Sequence, residues 1–234
     1  MNQWIRPRVQ PNHQNIEIIR TDRKKTASLR LRDGQMQLVV PKRATQGDID
    51  RILAAKANWI RKTLAEDAAR STFEPCAYTD GSTFTWLGRK TTLAVSQEAN
   101  GWPSLQDDQI SLGTGSPNET RAQLLAWAKQ EAHNHLRARV QQYSDHMNVR
   151  PGPLTVRDYK SRWGSCSADG SIRFNWRIMI APPDIVDYVV VHELAHLREM
   201  NHSPRFWAHV KAVLPDLDQH RQWLKQNGYR LRFD

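Results

Sequence analysis

The run Val189–Leu197, Val-Val-Val-His-Glu-Leu-Ala-His-Leu, narrows what this chain can become more than any other stretch, because it sets two histidines and a glutamate inside an otherwise apolar segment. Apolar residues on successive turns predict a buried helix. On a helix, positions four apart share a face, so His192 and His196 offer their imidazoles to the same point in space. Glu193 lies roughly 100° round the axis, near enough to reach a water held there.

This is the His-Glu-x-x-His pattern by which zinc hydrolases hold a catalytic ion. Such an ion takes three protein ligands and keeps one position open. His202 is the candidate third ligand. On an unbroken helix it would stand about 9 Å beyond His196, so the chain must turn between them. Met200-Asn201 is the expected turn, since asparagine tolerates the left-handed conformation, and Ser203-Pro204 restarts a helix with Ser203 as its cap. Asp216 and Asp218 rank below His202 as ligands, and His133, His135, His146, His209 and His220 read as ordinary helix positions. The spacing of the trio equals that of the metzincin proteases, but Glu199 stands where those have glycine.

The remaining chain reads in order as follows. Ile16 to Arg20, Ser28 to Arg32 and Gln35 to Val40 are expected strands, the last two joined by an Asp33-Gly34 hairpin. Alternation puts Arg30 and Arg32 on one face and Leu29 and Leu31 on the other. A helix is expected from Asp48, then a linker from Asp67 to Thr72. Phe84 to Leu87 and Thr91 to Val95 are β-prone, and Ile110 to Leu112 is expected as an edge strand. Ser116-Pro117-Asn118-Glu119 has the form of a capping box, opening a helix to about Met147. Leu154 to Tyr159 and Ile172 to Asn175 are further strands, and helices follow from Ser203 to Pro215 and from Asp216 to Asn227-Gly228. The loop Ser161-Arg162-Trp163-Gly164-Ser165-Cys166 carries residue types suited to holding a substrate, with Arg162, Trp163 and Gly164 as candidate contacts.

Several of these segments together are similar to one family. The loop from Ser161 to Cys166, the helix Ile185 to Leu197, Asn201-His202-Ser203 and Phe206-Trp207 resemble the YgjP-type (DUF45) metal-dependent hydrolases, which are related to SprT-like and WLM zinc peptidases. The N-terminal basic hairpin and the helix carrying Trp59-Ile60 extend the resemblance over roughly Glu17 to Leu224. It implies His192, His196 and His202 as metal ligands and Glu193 as general base. The order of elements predicts an α+β fold: a β-rich basic N-terminal part with a helix, residues 1–115, then a mainly helical zincin-like catalytic part with a small sheet, residues 116–234. The N-terminal strands could alternatively pair with Leu154 to Tyr159 in one continuous unit.

The expected function is a zinc-dependent metallopeptidase, other divalent ions being the alternative cofactor, with peptide or protein as substrate. Arg162 or a backbone N–H near Gly164 is the candidate oxyanion contact. A net charge of +10 and a pI near 9.9 also suit a polyanionic partner. Two alternatives follow: a nucleotide phosphohydrolase, and a nucleic-acid-associated protein with a structural metal. Against the first, there is no glycine-rich phosphate loop. No apolar run is long enough to cross a bilayer, and the first residues lack an apolar signal core. Two cysteines, Cys76 and Cys166, suit a reducing cytoplasm rather than a disulfide scaffold.

Overall fold

A computed structural model of the chain describes residues 16–23, 26–32, 35–71, 76–97, 101–159 and 162–231. The chain divides into two compact units, Met1–Glu74 and Pro75–Asp234, so the change of part expected near residue 115 falls inside the second. The architecture is α+β.

The first unit holds β1 (Ile16–Thr21), β2 (Ser28–Arg32), β3 (Gln35–Pro41) and α1 (Gln46–Ser71). Its sheet has the order β1-β3-β2, with β1 parallel and β2 antiparallel to β3. Arg32 pairs with Gln35, the register a two-residue connection requires, although Asp33-Gly34 themselves lie outside the described residues. Met36, Leu38 and Val40 alternate onto one face and are buried with Ile49, Leu53 and Ile60 of α1. Among the described strands β1, β2 and β3 form a sheet of their own, and Leu154–Arg157 belongs to another. Helix α1 starts two residues before Asp48 because Thr45 and Asp48 cap each other: the Asp48 N–H donates to Thr45 Oγ1 at 3.2 Å, and the Thr45 N–H to Asp48 Oδ2 at 3.0 Å. It also continues through the expected linker to Ser71, since that stretch is alanine-rich and carries neither glycine nor proline to stop it. Thr72 lies outside the described residues.

The second unit opens with a four-stranded sheet of β4 (Thr83–Trp86), β5 (Arg89–Ser96), β6 (Ser104–Gln106) and β7 (Gln109–Gly113), in the order β4-β5-β7-β6. The segment expected at an edge is therefore internal: β7 pairs with both β5 and β6, and Ile110 and Leu112 are buried. Leu87-Gly88 turns β4 into β5 with both residues at positive φ, and a side chain at Gly88 would begin 3.0 Å from the Pro182 Cα. This turn rests against the start of the helix that carries the histidines.

Helix α2 (Pro117–Met147) begins at the capping box, where the Ser116 side chain accepts from the Glu119 N–H and Glu119 Oε2 accepts from the Ser116 N–H. Its buried face, with Leu124, Trp127, Ala128, Leu136 and Val140, is continuous with the core of the unit. A three-stranded sheet follows, β8 (Leu154–Arg157), β9 (Gly164–Cys166) and β10 (Ile172–Asn175), in the order β8-β10-β9. Half of the stretch expected as a loop is thus an edge strand, antiparallel to β10. After a 3-10 turn at Trp176–Ile180 come α3 (Pro183–Ala195), α4 (Pro204–Val213) and α5 (Leu217–Asn227). Both cysteines are free.

Candidate metal centre

Helix α3 is apolar almost all round and sits in the core, with Val189, Val190, Val191 and Leu194 buried. Three side chains anchor it through Asp187 and Asp184. Arg139 of α2 grips Asp187 through Nε at 2.6 Å and Nη2 at 2.5 Å, and the Tyr143 hydroxyl donates to the same carboxylate at 3.1 Å. From the other side, His220 of α5 lies 3.4 Å from Asp184.

The helix ends at Ala195, earlier than the expected turn at Met200-Asn201. His196 is its cap, and the chain coils back so that the Glu199 carbonyl lies 3.2 Å from His196 Nδ1. Asn201 contributes through its side chain rather than a left-handed backbone: its Oδ1 accepts from the Ser203 N–H at 2.9 Å. Ser203 then caps α4, accepting from the Phe206 N–H at 3.3 Å, with Pro204 in the first turn.

This corner brings the three histidines together. One ring nitrogen from each of His192, His196 and His202 lies within 4.8 Å of the others, and no other group of three or more such side chains occurs among the described residues. His202 Nε2 stands 3.1 Å from His192 Nε2, close to the roughly 3.3 Å that separates two nitrogens on one tetrahedral zinc. With its Nδ1 turned to a carbonyl, His196 presents Nε2 as a lone pair. Phe206, fully buried, forms the floor, with its ring centre 4.6 to 4.9 Å from all three imidazoles. Trp207 stands beside His192 and His202 at 5.8 and 5.6 Å. The other described histidines stay outside the cluster.

Glu193 is 5 % exposed. Its carboxyl lies against Gly164 of β9, where a Cβ would come within 2.5 Å of Oε1, so only glycine leaves room for it. Burial pushes its pKa up to about 8, against a backbone hydrogen bond from Cys166 and the nearby charge of Arg162. Burial, then the neighbouring histidines and Arg221, push His192 down to about 3, and burial also lowers His196. Neutral imidazoles next to a desolvated carboxylate are the donor set a divalent cation would satisfy. The Cys166 thiol is held up by burial, by Glu193 and by Asp169, so it is the protonated, inert form that flanks the carboxylate.

The three expected substrate contacts have different surroundings. Arg162 extends over the Tyr159 ring at 5.6 Å, and its carbonyl accepts from Asn175 Nδ2 at 3.2 Å. The Trp163 ring packs on Gly228, with Cζ2 3.4 Å from where a side chain there would begin. Gly164 makes room for Glu193. Asn175, which no sequence motif marks, is 2 % exposed and also holds the Tyr159 carbonyl at 2.8 Å. Its only signal in the sequence is a polar residue ending an apolar strand. The opening of the loop, including Ser161, lies outside the described residues.

A three-imidazole corner with a buried carboxylate beside it, on an α+β frame, defines the class of metal-dependent hydrolases. The family model of the YgjP-like metallopeptidase domain matches residues 25–227, and the chain belongs to that family. Among solved structures, the metallopeptidase zymogen of Pyrococcus abyssi abylysin is 24 % identical, covers 38 % of this chain and 93 % of its own, and has a TM-score of 0.35. The metallopeptidase zymogen of Methanocaldococcus jannaschii jannalysin is 17 % identical, with coverages of 39 % and 94 % and a TM-score of 0.36. No curated protein matches the chain. No helix among the described residues is long and apolar enough to cross a membrane.

Proposed function

We propose that the chain is a zinc-dependent metallopeptidase in which His192, His196 and His202 hold the ion and Glu193 is the general base. The observation that carries this reading is the convergence of three imidazoles beside a carboxyl group that is itself buried. A bound zinc ion supplies Lewis acidity, lowering the pKa of water and polarising the scissile carbonyl. Glu193 takes a proton from the attacking water, holds it at the carboxylate oxygen lodged against Gly164, and delivers it to the departing amine. Arg162 is the side chain closest in character to an oxyanion contact, its guanidinium stacked on Tyr159 and its charge felt at Glu193.

The test is metal content by elemental mass spectrometry, with hydrolysis of a fluorogenic peptide library, on the full chain purified without a histidine tag. About one zinc per chain is expected in the wild type, lost in His202→Ala and retained in Glu193→Gln. Peptide cleavage falls by roughly 10²–10⁴ in Glu193→Gln, the range of a lost acid–base group. A wild-type chain that binds no zinc after reloading overturns the reading.

A further inference from the structure

Helix α5 carries a guanidinium to the histidine corner that the reaction as described does not use. Arg221 lies with its guanidinium carbon 4.6 Å over the Trp207 ring, and that ring is the neighbour of His192 and His202. The cation and two of the candidate metal ligands thus share one aromatic neighbour. Among the described residues Arg221 has no carboxylate partner. Of the acidic groups nearby, Asp184 faces His220, and Asp218, one turn earlier on α5, forms no ion pair with Arg221 among the described residues.

A positive charge here works against the site. It disfavours any second cation at the corner, whether a proton or a divalent ion. Solvent lies within reach of this exposed side chain, yet its guanidinium is stacked on the wall of the site. Stacking leaves the edge of the planar guanidinium, with its N–H fork, open for a bidentate oxyanion, and holds that fork in place before a ligand arrives.

We propose that Arg221 is a specificity-determining residue that binds a carboxylate of the substrate next to the scissile bond, so that the enzyme selects acidic peptides. A carboxylate seated there would neutralise the guanidinium and place anionic charge between two cationic groups, Arg221 and the ion. Neutral peptides would lack that compensation. Chain-wide charge of +10 favours the approach of the same substrates. The proposal rests on the metallopeptidase reading for the cleavage and on Arg221 alone for the selection.

Two measurements on the zinc-loaded full chain separate those foundations. The first compares hydrolysis of matched fluorogenic peptides bearing glutamate or glutamine on either side of the cleaved bond. In the wild type the glutamate peptide is favoured roughly ten-fold in kcat/KM, mainly through KM, and in Arg221→Gln the ratio collapses to about one. A wild-type ratio near one, or a ratio unchanged in Arg221→Gln, overturns the proposal. The second measures binding by calorimetry, using a triglutamate peptide, a triglutamine peptide and ATP. If no peptide is cleaved, the metallopeptidase reading fails, and calorimetry alone decides the role of Arg221. Triglutamate binding that weakens in Arg221→Gln sustains it, and equal binding of the two peptides overturns it. ATP held more tightly than triglutamate, in an Arg221-dependent way, overturns the carboxylate assignment in favour of a phosphate.

Discussion

Arg30 on β2 donates to Gln37 at 2.8 Å, and Gln37 donates to Glu17 at 2.7 Å, so this arginine is tied into a ladder across its own sheet. Arg20 is similarly occupied, with its Nη1 3.0 Å from the Lys42 carbonyl and 2.6 Å from that of Ala44. Arg162 and Arg221, in the second unit, stack on aromatic rings, and among the described residues neither forms an ion pair with a carboxylate; Arg162 acts on Glu193 through its charge. Equal charge is thus put to different uses. Arg20 and Arg30 complete their own sheet, whereas Arg162 and Arg221 are stacked on rings close to the histidine corner and Glu193. Net charge therefore says less about partners than the partner each cation already has.

The sharpest way to probe the second unit's side of this contrast is the contact between Gly164 and Glu193. Gly164→Ala would put a methyl within 2.5 Å of Oε1, and the neighbouring atom that must give way is the candidate base. A displacement of about 1 Å at a reacting group costs on the order of a hundred-fold in rate. We expect kcat/KM for a peptide substrate to fall at least that far, with zinc content and far-ultraviolet circular dichroism unchanged. Near wild-type activity would mean that Glu193 works from another position.

Next in size is a charge whose role is to hold the metal helix. Asp187→Asn keeps the shape but leaves Arg139 without its anion, in a pair whose side chains are only 26 % and 15 % exposed. About 2–3 kcal/mol of stability should be lost, less than for a fully buried pair, and Tm should drop by roughly 5–10 °C. The same denaturant series should show the loss in Arg139→Met. A change below 0.5 kcal/mol in both would make this pair equivalent to a surface one.

A smaller effect concerns the metal-free protein and pH. Glu193 has a folded pKa near 8 against an ordinary value of 4.5, so folding holds a proton that unfolding releases, and stability falls as pH rises from 4.5 to 8. His192, depressed to about 3 from 6.5, acts in the opposite sense: stability falls as pH drops from 6.5 to 3. Between pH 4.5 and 6.5 the two slopes oppose each other and the curve flattens. In chelated protein, Glu193→Gln should remove the alkaline decline and raise Tm at pH 8 by several degrees relative to wild type, with little gain at pH 5. A decline that persists in the variant belongs to other groups.

The parts of this molecule that were legible in the sequence are those governed by local rules. The capping box at Ser116 and Glu119, the alternation of Leu29 and Leu31 against Arg30 and Arg32, and the Ser203 cap each involve neighbours a few residues apart. The histidine spacing is legible for the same reason, since one helical turn relates His192 to His196. What escaped depends on distant pairing. Whether Ile110 to Leu112 is central or peripheral is decided by β5 and β6. Glycine, serine and cysteine in β9 resemble a loop until Phe174 and Ile172 are found opposite them. The place of Arg221 depends on how α5 packs on α3 and on a tryptophan fourteen positions earlier in the chain, which no periodicity reports.

The smallest expected effect tests the first unit's side of the contrast, and it turns on separating a side chain from the backbone that bears it. Lys42 pairs with Asp22 at 2.7 Å, but the two side chains are 67 % and 87 % exposed, and pairs of that kind contribute at most a few tenths of a kcal/mol. The backbone at the same position does more: its N–H donates to the Thr21 carbonyl at 2.9 Å and its carbonyl accepts from Arg20. Lys42→Ala keeps both bonds, so its unfolding free energy should lie within about 0.5 kcal/mol of wild type, with peptide hydrolysis unaltered. Arg20→Ala, which strips two carbonyls of their donor, should cost about 1 kcal/mol. If Lys42→Ala costs more than Arg20→Ala, or slows hydrolysis, the exposed cations of the first unit have a role that their pairing conceals, and the division of labour between the two units falls.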